Sequence, residues 1–210
     1  MLIGFGMSAR PRVRFFSKPS GERIAYAVHG SGRPLVFPAW WVSHVEEDWD
    51  NEAFRSFFEE LGKRHQVIRY DRLGTGLSER QRTDIDLDEE VSTLAELVDH
   101  LELELFDVFA ISCGGPPALR YAAQNPHRVR RLILFGSFVR GTDVGSEEVR
   151  RALQGLVRAH WGMGSQTLAN LFAPDLPKPA VKRMSAHHTR SATAEMAARL
   201  LSLTFDVDVE

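Results

Sequence analysis

The 210 residues are 43% hydrophobic and 26% charged, the balance of one soluble globular domain able to bury a sizeable core. Lys and Arg total 26 against 28 Asp and Glu, a formal net charge of −2 with no basic run, which argues against nucleic acid as a partner. Cys113 is the single cysteine, so an internal disulfide and a cysteine-rich metal site are excluded, and a reducing, cytoplasmic location is expected. Residues 1–7 are apolar but short, lack a positive start and run into Arg10, Arg12 and Arg14, so they do not read as a signal peptide, and no stretch reads as a membrane span. No cofactor or metal is expected.

In chain order, short β-rich runs alternate with longer helical patterns, as in a mostly parallel sheet flanked by helices, an α/β fold. Residues 12–16 and 23–29 read as opening strands around the turn signal Pro19-Ser20-Gly21, and Gly30-Ser31-Gly32 ends the second. A buried-type strand over 35–38 leads through loop 39–48 into a helix with Phe54, Phe57, Phe58 and Leu61 on one face and Gly62 as its stop. Then come a strand over 67–70, a helix over 87–103, a strand over 107–111, a helix over 118–124 and a strand over 132–135. From Gly141 the pattern turns helical, over 146–161, 165–172 and 180–203, with a breaker-rich interruption at 174–179. The expected organisation is a sheet core over 1–140 and, over 141–210, a helical cap segment and the start of the return to the core.

The sharpest feature is Ala110-Ile111-Ser112-Cys113-Gly114-Gly115, between a strand and a helix. A serine there sits on a tight turn that the chain passes only if the residues two before and two after it are small, and Ala110 and Gly114 meet that demand. Such a turn lifts the hydroxyl out at the C-terminal edge of the sheet, where the following helix aims free N–H groups at developing negative charge. Pro116 and Pro117 suit the first turn of that helix.

Together with Asp71-Arg72-Leu73-Gly74-Thr75-Gly76-Leu77-Ser78 after an earlier strand and Asn125-Pro126 downstream, this segment resembles the α/β-hydrolase superfamily over roughly residues 12–137. The resemblance implies Ser112 as the nucleophile. It makes Asp71, Gly74, Gly76 and Ser78 supporting scaffold, and assigns an oxyanion hole to the N–H groups of Cys113 and, through the loop after the third strand, Trp40. The thiol of Cys113 reads as a small filler. Gly74-Thr75-Gly76 lacks the third glycine of a dinucleotide fingerprint.

In this superfamily the acid and histidine follow the serine in order, and the sequence shows no segment that reads as their usual strands. His127 reads as a surface residue, His160, His187 and His188 as part of the helical block, and Asp143 as the best stand-in acid. The core is therefore expected to be incomplete at its C-terminal edge, with the last strand exposing an edge for self-association. The expected function is hydrolysis of a small apolar ester or other acyl substrate through Ser112, impaired without an acid and a histidine. Leu156, Trp161, Leu171 and Phe172 suggest an apolar pocket. A serine nucleophile disfavours the dehalogenase and epoxide-opening branches, which use aspartate. The alternative is a non-catalytic ligand sensor, since the core also resembles hydrolase-like modules fused to bacterial regulators such as helix-turn-helix activators and nucleotide cyclases.

Overall fold

The computed structural model describes residues 10–82 and 84–210. Residues 1–7, read above as no signal peptide, lie outside the described residues. Six strands form one sheet: β1 (Val13–Ser17), β2 (Arg23–His29), β3 (Arg33–Phe37), β4 (His65–Tyr70), β5 (Phe106–Ile111) and β6 (Val129–Phe135), in the order β1-β2-β4-β3-β5-β6. β1 and β2 pair antiparallel, as do β2 and β4; β3 runs parallel to β4 and β5, and β5 parallel to β6. The expected mostly parallel α/β sheet is what the chain forms.

Three helices link the parallel strands: α1 (Glu52–Gly62), α2 (Leu87–His100) and α3 (Gly115–Gln124). The period of two along the strands decides which face each covers. Leu35 and Phe37 of β3, Val67 of β4 and Phe109 and Ile111 of β5 face the cluster holding Phe58 of α1, whereas Val36, Ile68, Val108 and Ala110 face the cluster holding Leu94 and Leu97 of α2 and Tyr121 of α3. Asn51 starts α1 by accepting from the N–H groups of Ala53 and Phe54, and Asp86 starts α2 by accepting from Glu89 at 2.8 Å. β3 begins at Arg33, two residues before the expected start, because Pro34 pairs only towards β4, and the β5 ladder is taken up from Leu35.

The helical stretch resolves into α4 (Glu147–Ala159), α5 (Trp161–Phe172), α6 (Lys178–Ser191) and α7 (Ala194–Asp206). The single helix expected over 180–203 is two, a correction with a local cause. Ala192 is extended, and Thr193 caps a fresh start by accepting from the N–H of Met196 at 3.2 Å. α7 returns to the sheet core, burying Met196, Leu200, Leu201 and Phe205 in the main cluster. Just beyond it, Val207 O accepts from Gly141 N at 2.8 Å and Val209 N donates to Val139 O at 3.1 Å, so the chain leaving β6 and the chain leaving α7 lie side by side.

Candidate functional site

β5 ends at Ile111, and Ser112 turns the chain into α3 through a φ of +51°. Among the described residues only Glu102 shares that left-handed conformation without being glycine, and a β-carbon there costs of the order of 1–2 kcal/mol. The neighbours show why the turn needs small residues. A β-carbon on Gly114 would lie 2.8 Å from the Pro38 carbonyl oxygen, so the exit of β3 packs directly under the turn. Ala110 is fully buried in register with Leu134 of β6, and its methyl is accommodated in regular strand. Ser137 donates from its hydroxyl to Ser112 O at 2.9 Å, tying the turn to the chain after β6.

Ser112 is half-buried, its Oγ 3.7 Å from Cys113 Sγ. Cys113 is buried and lies 3.4 Å from Thr204 Oγ1 of α7, so this helix reaches the residue after the serine. A cavity of about 10 Å³, room for roughly one water, adjoins this contact between Arg72, Cys113, Pro116, Phe138, Thr204 and Val207. A larger hollow of about 730 Å³ is lined by Asp84, Arg158, Glu195 and Arg199 among others, and shares no lining residue with the turn.

The loop after β4 is a sealed support. Asp71 is buried and accepts from Val45 N and Leu77 N, each at 2.9 Å. Burial raises its carboxyl to about 6, and the hydrogen bond from Leu77 N is the largest opposing influence. Ser78 accepts from Ala25 N at 2.9 Å and donates to Asp71 O at 2.6 Å. Gly76 has φ +54°, and a β-carbon there would lie 2.2 Å from Asp71 Oδ2; Gly74, at φ +80°, lies against Met196.

Two buried ion pairs beside this loop were not anticipated from the sequence. Arg72 meets Glu90 of α2 at 2.8 Å, and Arg69 lies 3.6 Å from Asp48. Burial raises the carboxyls of Glu90 and Asp48, with the arginine opposing in each case. Glu90 carried a readable signal, since it stands four residues before Leu94 on the apolar stripe of α2.

Trp40 and Trp41 separate in role. The Trp40 indole stacks on Phe54 and Phe58 of the α1 face, while Trp41 meets Trp161, Phe172 and His188 edge-on, at 6.0, 5.6 and 5.1 Å between centroids. Trp161 packs against the main cluster, but Leu171 and Phe172 are largely exposed, so only part of the expected apolar lining faces inward. The histidines after Ser112 are scattered. His127 is exposed, His160 is exposed and caps α5, and His187 stands 3.4 Å from Asp48 and 3.5 Å from Glu47. His188 is buried, which drives its imidazole down to about 3, with the neighbouring His187 a smaller influence in the same direction. Asp143 is exposed in a short turn after β6. Among the described residues no histidine hydrogen-bonds Ser112, and no group of three or more His, Cys, Asp or Glu side chains is arranged to hold a metal.

A family model for the alpha/beta hydrolase fold matches residues 37–209. Similar proteins include a 2-hydroxy-6-oxo-2,4-heptadienoate hydrolase of Pseudomonas putida, 35% identical over 111 residues that make up 52% of this chain and 36% of that one. A non-heme haloperoxidase of Rhodococcus erythropolis is 33% identical over 124 residues, 59% of this chain and 43% of that one. Haloalkane dehalogenase 2 of Mycobacterium tuberculosis is 31% identical over 122 residues, 58% of this chain and 40% of that one. The matched stretch thus spans about two fifths of the length of these curated relatives. Among solved structures, an esterase from Exiguobacterium antarcticum superimposes with a TM-score of 0.77 at 21% identity, covering 92% of this chain and 74% of that one. A bromoperoxidase from Bacillus anthracis gives 0.76 at 20% identity, covering 94% and 75%. These two likenesses concern the fold.

Proposed function

Because the chain belongs to the α/β-hydrolase fold family, we propose that Ser112 is the nucleophile of an acyl-transfer reaction on a small ester or other apolar acyl substrate. The observation that carries this reading is the φ of +51° at Ser112, a strained conformation held at the strand-to-helix turn. In this reading the Ser112 oxygen bonds to the substrate carbonyl carbon, and its proton passes to a base. The carbonyl electron pair moves to oxygen, where the N–H groups of Cys113 and Trp40 stabilise it, and its return expels the leaving group, which takes the proton back from the base and departs as the alcohol. Water then releases the acid and restores the serine. Ala110 and Gly114 keep the turn tight, and Asp71, Gly74 and Gly76 support it from the loop after β4. The relatives' names range over a hydrolase, a haloperoxidase and a dehalogenase, so the acyl class rests on the residue type at the turn, serine rather than aspartate.

The same reading gives these 210 residues low turnover on their own, because the base is not among the described histidines; in subtilisin, losing the histidine costs about 10⁶ in turnover. It treats residues 141–210 as a helical cap segment and the start of the return to a core of 1–140, places the protein in the cytoplasm in keeping with its free Cys113, and lets copies associate through β6. A fluorophosphonate probe followed by peptide mass spectrometry, applied to the longest open reading frame containing this chain, is expected to label Ser112 and to lose the label in Ser112→Ala. Labelling confined to other residues overturns the assignment.

A ligand-sensing reading is favoured by one observation: among the described residues no histidine hydrogen-bonds Ser112. Binding of ester analogues without any product over days is the outcome that selects it.

A further inference from the structure

Arg72 does more than neutralise Glu90. Its Nη2 donates to Ala39 O at 3.4 Å and to Glu90 Oε2 at 2.8 Å, and its Nη1 donates to Trp41 O at 3.2 Å. One guanidinium thus holds the carbonyls on both sides of Trp40. Arg72 and Glu90 are 2% and 4% exposed, so these bonds operate out of water, where a charge-assisted hydrogen bond is strongest. In a trans peptide the C=O and N–H of one unit point in opposite directions. The Ala39 oxygen and the Trp40 N–H belong to the same unit, so anchoring the oxygen on Arg72 aims the Trp40 N–H to the other side.

The elbow is in direct contact with this anchored stretch. A β-carbon on Gly114 would lie 3.3 Å from Ala39 O, and Arg72 and Cys113 border the same small cavity. The two backbone donors assigned to the oxyanion therefore rest on elements that touch, one set by the turn at Ser112 and the other by the grip of Arg72. We infer that Arg72, held by Glu90, is a positioning residue that locks the Ala39–Trp40 peptide with its N–H available to a developing oxyanion. This rests on the acyl-transfer reading of Ser112 and adds to it the group that sets the second donor. Without the guanidinium, the peptide can turn its oxygen where its N–H should be, and repel the charge it should receive.

The test separates the lock from the nucleophile. In Ser112→Cys the thiolate, a few per cent of the thiol at neutral pH, reacts without a histidine. Acylation by p-nitrophenyl acetate forms an S–acyl bond, expels p-nitrophenolate and passes through an oxyanion. Alkylation by iodoacetamide forms an S–C bond at saturated carbon, expels iodide and passes through none. Peptide mass spectrometry assigns each adduct to position 112 rather than to Cys113. Removing one oxyanion donor costs about 10²–10³ in subtilisin, so adding Arg72→Met with Glu90→Gln, which leaves no buried charge unpaired, is expected to slow acylation about 10-fold or more. Alkylation is expected to stay within about twofold, and Arg72→Lys to recover part of the acylation rate. Equal slowing of both reactions makes Arg72 a fold residue and overturns the inference, as does no slowing of either. With Arg72 intact, a thiol that takes up neither reagent overturns the Ser112 reading itself, and the lock falls with it. A thiol that alkylates but acylates no faster than free glutathione overturns the oxyanion assignment instead.

Discussion

Asp71, at the end of β4, is sealed from water and accepts two backbone N–H groups, whereas Phe135, at the end of β6, is 66% exposed on a strand that pairs only with β5 among the described residues. Ile133 and Leu134 beside it are exposed as well. The β4 side of the sheet is fastened by specific bonds that tolerate little change. The β6 side presents apolar side chains to solvent along an edge strand. The serine turn lies between them, packed on the Pro38 carbonyl at the exit of β3 and tied by Ser137 to the chain after β6.

The strongest way to break that contrast is Gly76→Ala. A left-handed φ of +54° and a β-carbon 2.2 Å from Asp71 Oδ2 together are expected to lower stability by about 3 kcal/mol in urea unfolding. A second probe is pH. His188, held down to about 3 by burial, stays neutral when folded and gains a proton on unfolding below 6.5, so the stability it supplies above 6.5 is lost as pH falls towards 3. Asp71, raised to about 6 by burial, acts with the opposite sign, because the folded state takes up its proton first as pH falls from 6 towards 3.8. His188→Phe removes only the first influence. Relative to the parent it is expected to gain about 2 kcal/mol between pH 6.5 and 4.5, read from urea midpoints at both pH values; parallel curves count against the burial of His188.

Smaller changes sharpen the comparison. Ser112→Gly removes the left-handed strain and is expected to raise stability by about 1 kcal/mol while abolishing any phosphonate label; a destabilised variant means that the turn is not strained. On the open side, Ile133→Lys is expected to shift stability by no more than about 0.5 kcal/mol while lowering the mass measured by light scattering, if copies meet along β6.

The parts of the molecule readable in sequence are those whose geometry admits few residue types. A left-handed turn that passes under a carbonyl demands Gly114, and the loop at Asp71 demands Gly74 and Gly76, so both announce themselves locally. The strands were legible by their apolar runs, with starts lying two or three residues earlier than expected where a proline or a charged start intervened, as at Pro34 and at Val129. Arg72 was visible as a letter within its motif but not as a clamp, because its partners, Ala39, Trp41 and Glu90, come from two other segments of the chain. The break at Thr193 was readable in principle, a threonine ahead of an acidic first turn, but the helix-forming residues on both sides outweighed it.

The pairing of Gly141 with Val207 and of Val139 with Val209 brings the two ends of four helices to a single doorway. α7 is fixed in the core by Met196, Leu200, Leu201 and Phe205, so the part of this stretch that can be lengthened or shortened while the sheet keeps its register is α4 to α6. Change confined to those three helices leaves Thr204 of α7 in place against Cys113, and with it the surroundings of the serine turn.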